Sequence, residues 1–185
     1  MIAHPERVMR RFILAALLGL SVLACDQAGP TPNPSGILFV APGEAVQARF
    51  SGEAMAQAHS DATVLAENNG LDLGYPWIDP ATGELVLSAV TAQGRELIQR
   101  ANITVPHRIR EVAHGATELR RIQDDATFLR SRGVPGAELI FETLPDQRDN
   151  RALIVIRAMS QGLIDYLVAH YPPDAIAIEV NPNGP

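Results

Sequence analysis

Residues Glu84 to Ile98 read ELVLSAVTAQGRELI, and residues Ala152 to Leu167 read ALIVIRAMSQGLIDYL. With Gln93-Gly94 laid over Gln161-Gly162, an offset of 68 residues, Leu85 falls on Leu153, Val86 on Ile154 and Leu87 on Val155. In each copy a run of apolar, often β-branched residues passes into a helical pattern, which reads as strand then helix. Each copy also follows an Asp-containing turn, Asp79-Pro80-Ala81-Thr82-Gly83 in the first and Pro145-Asp146-Gln147-Arg148-Asp149-Asn150 in the second. Asp accepts backbone hydrogen bonds in turns, and Gly or Asn takes positive φ. The chain is read as carrying a weak internal repeat over 79–105 and 147–180.

Around the repeat, Ile37 to Val40 and Ala45 to Phe50 are expected as strands, with Pro42-Gly43 turning between them. Glu53 to Glu67 has Met55, Ala58, Ala62 and Leu65 at helical spacing, and Asn68-Asn69-Gly70 stops it. Glu111 to Arg132 is the longest periodic stretch, with Val112, Ala116, Leu119, Ile122, Ala126 and Leu129 on one stripe. Ile103 to Val105 is expected as a short strand, and His107, Arg108 and Arg110 as a basic turn. Ala137 to Leu144, Ala152 to Ala158 and Ala175 to Val180 read as further strands. Thr91 and Ser160 are expected to cap helices reaching about Ala101 and Tyr171. The expected architecture is α+β: one small antiparallel or mixed sheet, or two, with helices packed on one face. A single domain is placed at 37–180, with a tail at 181–185.

The first 24 residues have the pattern of an export signal. Arg7, Arg10 and Arg11 precede an uncharged, mostly apolar run from Phe12 to Ala24. That run is shorter than the ~20 residues a spanning helix needs. It ends at Cys25, the one cysteine of the chain, and residues 25–36 are rich in Pro and Gly, as a tether would be. All 15 basic residues are Arg, and the formal net charge is −6. An acidic balance disfavours phosphate backbones, so no nucleic-acid partner is expected.

Chemical motifs are sparse. None of the seven Ser residues sits in a G-x-S-x-G turn, and no phosphate loop or dinucleotide fingerprint is present. His59-Ser60-Asp61 holds triad residue types, but adjacent helical residues do not face one another, and the three are read as surface decoration. His107 and His114 lack metal-site spacing. No catalytic residue, metal ligand or cofactor is assigned. Two binding candidates remain: the polar loop with Asp146, Arg148, Asp149, Asn150 and Arg151, and an aromatic patch at Tyr75 and Trp77 around Pro76.

Val22-Leu23-Ala24-Cys25 resembles the lipobox of bacterial lipoproteins. The resemblance implies a diacylglycerol thioether on Cys25, cleavage before it, and an outward-facing lipid anchor in the cell membrane; plain secretion is the alternative. The Asp149-Asn150-Arg151-Ala152-Leu153-Ile154-Val155 run and, more weakly, Asp79 to Leu87, with Val112 to Leu129 between, resemble the pro-regions of secreted serine endopeptidases of the streptogrisin and α-lytic type. That resemblance covers about 75–180 and implies a folding helper or inhibitor of a protease. The expected role is a non-enzymatic interaction or structural one, with an extracytoplasmic protein partner. The alternative is a binder, inhibitor or folding helper of a secreted serine protease.

Overall fold

The structure is a computed structural model, described here for residues 35–43 and 52–184. The signal segment, Cys25, most of the tether and the expected strand Ala45 to Phe50 lie outside the described residues. Seven strands and four α-helices are described: β1 (Leu38–Val40), α1 (Glu53–Asn68), β2 (Leu73–Ile78), β3 (Leu85–Ala89), α2 (Ala92–Arg100), β4 (His107–Glu111), α3 (Ala116–Phe128), β5 (Ile140–Asp146), β6 (Arg151–Ile156), α4 (Gln161–His170) and β7 (Ile176–Val180). They build an α+β fold with two mixed sheets, one ordered β1-β7-β6-β5 and the other β2-β3-β4. No helix among the described residues is long and apolar enough to cross a membrane.

The repeat is fuller than its sequence suggests. Each unit is helix, antiparallel hairpin, helix, parallel strand: α1-β2-β3-α2-β4, then α3-β5-β6-α4-β7. The first unit lacked its leading strand in the sequence reading, because Leu73–Ile78 contains Gly74 and Pro76 and does not alternate. Its residues are nearly all buried, so the period-2 signal is lost. The offset of 68 also needs correcting. Leu73 pairs with Ala89 and Ile78 with Leu85, whereas Ile140 pairs with Ile156 and Pro145 with Ala152, so the hairpins correspond at an offset of 67. A one-residue slip turns every strand side chain to the other face. With the corrected offset, Leu85 and Leu87 match Ala152 and Ile154, and all four lie in the main core. Unit two then has a longer connection before its helix. Thr91 and Ser160, the two N-caps, correspond at an offset of 69, as do β4 and β7.

Both expected caps form. Thr91 Oγ1 accepts the Gly94 N–H at 3.1 Å, and Ser160 Oγ accepts the Leu163 N–H at 3.4 Å. The Gln-Gly pairs that suggested the alignment are not equivalent, since Gly94 is the third residue of α2 and Gly162 the second of α4. Gly94 has its own reason: a Cβ there would sit 2.1 Å from the Asp72 carbonyl oxygen. α2 therefore seats directly against the chain entering β2.

Helix α3 is shorter than the expected Glu111 to Arg132, because Glu111 closes β4 and Gly115 occupies the N-cap in an extended conformation. Five of the six stripe residues are as expected, with Ala116, Leu119, Ile122, Ala126 and Leu129 buried, whereas Val112 precedes the helix and is half-buried. Leu119, Ile122 and Leu129 lie in the same core as Leu85 and Leu87 of one sheet and Ile154 and Ile178 of the other, so a single core serves both. Burying each such side chain is worth about 1.5–3 kcal/mol. The expected basic turn at His107–Arg110 is strand β4, parallel to β3, while Ile103 and Val105 pack on the core outside any strand. Charged side chains are a usual covering for an edge strand, and here they hid the strand from a pattern search. The segment before β5 begins with a short 3-10 turn at Ala137–Leu139 rather than strand.

Candidate functional site

The two units meet at the β5–β6 turn. Asp146 ends β5, and its Oδ1 accepts the Asp149 N–H at 3.1 Å. Four residues on, Asn150 has φ 54°, the left-handed position that Gly83 (φ 72°) takes in the β2–β3 turn. Asn is among the few residues that tolerate this region. The buried Asn150 side chain crosses the seam, where Oδ1 accepts the His114 N–H and Nδ2 donates to the His114 carbonyl, each at 2.9 Å. Gly74 leaves room for it, since a Cβ there would stand 2.9 Å from Asn150 Nδ2. One amide thus fastens the turn of unit two to the β4–α3 connection, alongside β2 of unit one.

Arg110 makes a second tie from β4. Its guanidinium donates to the carbonyls of Gln147 and Arg148, and its Nε donates to Ser88 Oγ at 3.0 Å. Ser88 in turn donates to the Tyr75 carbonyl at 3.1 Å. The Arg110 head lies 5.7 Å from the Trp77 ring centroid, within cation–π range. Burial lowers the Arg110 pKa from the usual arginine value, with the nearby Arg108 charge adding to it and the Asp149 and Asp146 charges opposing it. Arg151 bonds the carbonyls of Gly36, Pro173 and Ile176 through Nη1. Among the described residues, neither Arg110 nor Arg151 forms an ion pair with a carboxylate, whereas Arg148 pairs with Asp149 at 3.0 Å.

His114 is 8% exposed. Its Nδ1 lies 3.1 Å from Glu118 Oε2. Its Nε2 has no hydrogen-bond partner; the Asp174 carboxylate stands 3.4 Å away without hydrogen-bond geometry. A cavity of about 330 Å³ opens at the C-terminal end of β4, lined by Arg110, His114, Arg148, Asn150, Arg151 and Asp174 among others. Burial raises the Asp146 pKa above the usual carboxylate value, and the Asp149 charge adds to it against hydrogen bonds from the turn's N–H groups. Asp79, the counterpart of Asp146, behaves oppositely. It accepts the Ala81 N–H and pairs with Arg108, each at 2.9 Å, and these hold its pKa below the usual value.

The expected polar loop is therefore divided by role. Asp146 and Asn150 are buried in the joint, Arg148 is half-buried and paired with the exposed Asp149, and Arg151 is bonded to the carbonyls of Gly36, Pro173 and Ile176. Tyr75 and Trp77 do not form one patch, because a β-bulge lies between Gly74 and Trp77. Tyr75 is in the core, with its hydroxyl accepting from Arg120 Nε at 3.3 Å, while Trp77 is half-buried under Arg110. His59 is half-buried rather than a surface residue, and burial lowers its pKa against hydrogen bonds that its ring donates to the Pro76 carbonyl and the Gln147 side chain. Sequence reasoning missed Arg110 and His114. The alternation of Arg108 and Arg110 about Ile109 was the available signal, and it marks one face of a strand.

Among the described residues, no group of three or more His, Cys, Asp or Glu side chains is placed to share a metal ion. No protein-family model matches the chain, and no curated protein matches it.

Proposed function

We propose that this protein is an extracytoplasmic lipoprotein, anchored outward from the cell membrane through Cys25, whose folded domain binds another protein. The open edge of β4 carries this reading. Among the described residues β4 ends its sheet, and its even-numbered residues face β3: the Pro106 carbonyl accepts from Leu85 N–H and the Val112 N–H donates to Ala89, each at 3.0 Å. The main-chain groups of His107, Ile109 and Glu111 therefore point away from the sheet. An unpaired edge is a template for an added strand. The test of anchoring is Cys25→Ala, expected to move the protein from the membrane to the soluble fraction. Unchanged membrane partition of a protein bearing no lipid elsewhere refutes the anchor. Crosslinking of the anchored protein is expected to trap a partner through β4.

A second reading, a binder, inhibitor or folding helper of a secreted serine protease, is favoured by one observation. Both units have the same helix-hairpin-helix-strand order, and both place Asp at the start and a left-handed Gly83 or Asn150 at the end of the hairpin turn. That pairing is the pattern on which the pro-region resemblance rests. Nanomolar inhibition of a chymotrypsin-like protease, or acceleration of its refolding, is the expected result; neither effect sinks this second reading alone.

A further inference from the structure

The repeat shows how this fold fills the edge that β4 leaves open. β7 is the counterpart of β4, with His107 matching Ile176 and Ile109 matching Ile178. In unit two that edge is covered by β1, which lies parallel to β7 with Leu38 beside Ala177, Phe39 beside Ile178 and Val40 beside Glu179. Transferred to unit one, those positions are Arg108, Ile109 and Arg110. Among the described residues no strand stands there. A strand seated like β1 runs parallel to β4 and meets the outward N–H and C=O of Ile109. Its chain then leads toward the C-terminal end of β4, where the cavity of about 330 Å³ begins.

That cavity has the chemistry of a carboxylate receptor. Arg110 and Arg151 line it and are bonded only to uncharged oxygens. The nine-tenths-buried His114 also lines it, with Nδ1 against Glu118 and Nε2 facing Asp174. A carboxylate accepts from a guanidinium, and such charge-assisted bonds are about twice as strong as neutral ones. The cavity's own acids are disposed to allow this. Glu111 is taken by Arg95 and Asp149 by Arg148, which leaves Asp174, 65% exposed, near His114.

We infer that the β4 edge and this cavity bind the extended C-terminal tail of a partner protein, adding it as a parallel strand and holding its terminal carboxylate with Arg110 and Arg151. The inference rests on the interaction reading above and names the ligand class. An apolar residue fits beside Ile109, and an acidic residue fits beside Arg110, since Arg108 is already paired with Asp79.

The test uses a pool of short synthetic peptides with free C-terminal carboxylates and the same pool amidated, offered to the full chain in detergent. Retention of carboxylate peptides, weakened about tenfold to a hundredfold by amidation, is the expected result. Bound peptide is expected to slow amide exchange at His107, Ile109 and Glu111, a readout on the unaltered protein. Asp174→Asn, which removes the competing charge at the mouth, is expected to tighten binding. Equal retention of both pools with β4 protected overturns the carboxylate receptor and leaves the interaction reading standing. Retention of neither pool overturns the carboxylate receptor too, while the partner crosslinking above decides the interaction reading separately. Protection that falls on β5 instead of β4 overturns the placement.

Discussion

Replacing Asn150 with Ala tests whether the seam is held as described. The substitution removes two hydrogen bonds and strands the N–H and C=O of His114, a residue only 8% exposed. Each buried main-chain group left unsatisfied costs about 1–3 kcal/mol. Ala at φ 54° adds about 1 kcal/mol of backbone strain. Water entering from the cavity recovers part of this, so the expected loss is about 3–5 kcal/mol, a large share of the ~5–15 kcal/mol that holds a domain together. Asn150→Gly keeps the left-handed backbone and is expected to cost about 1 kcal/mol less. Urea unfolding followed by far-UV circular dichroism reads both, as a lower midpoint with an unchanged slope. A loss under about 0.5 kcal/mol for Asn150→Ala would falsify the view that this amide fastens the units.

Three further outcomes are expected. His59 has a pKa lowered by burial, so the unfolded chain binds its proton more readily. Its contribution is complete above the unfolded value near about 6.5 and is lost as pH falls through the folded value; His59→Gln flattens that limb of the stability profile. Asp146 has a raised pKa, so its contribution is complete below the unfolded value and is lost as pH rises through the folded one. Asp146→Asn, which retains an Oδ1 for the Asp149 N–H, is expected to raise the urea midpoint at neutral pH and change it little in acid. Gly94→Ala drives a Cβ against the Asp72 carbonyl and is expected to destabilise by about 1–3 kcal/mol in the same unfolding assay, whereas Gly83→Ala meets no neighbouring atom and reports only backbone strain.

The sequence carried those parts of the fold whose signal is local. The stripe Leu119-Ile122-Ala126-Leu129, the caps Thr91 and Ser160, and the branched run of β6 are each set by neighbours within a few residues. β2 was hidden because burial on both sides erases alternation, and β4 because its edge carries Arg108, Arg110 and Glu111. The repeat was legible as a likeness, but its register was not. Leu, Ile and Val are interchangeable to the eye at Leu85 and Leu153, although one faces the main core and the other the opposite face of its sheet. The site was half legible. The polar turn stood out by composition, yet its partners Arg110 and His114 lie 37 residues before Gln147 and 36 before Asn150, a separation no local pattern spans.

That separation has a consequence for assembly order. The Asn150–His114 and Arg110–Gln147 ties close only after the whole of α3 and the β5–β6 hairpin exist, so they add no stability to a nascent chain that ends at the first unit. Long-range closures of this kind are formed at an entropic cost that local helices avoid. A chain severed between His114 and Gly115 would keep every strand and helix of each unit while losing the continuity that brings Asn150 to His114. Two such fragments, each joined to half of a reporter, would restore a signal as the shared core and the β1–β7 pairing reform, and the Asn150 amide would strengthen that signal when it finds the His114 main chain.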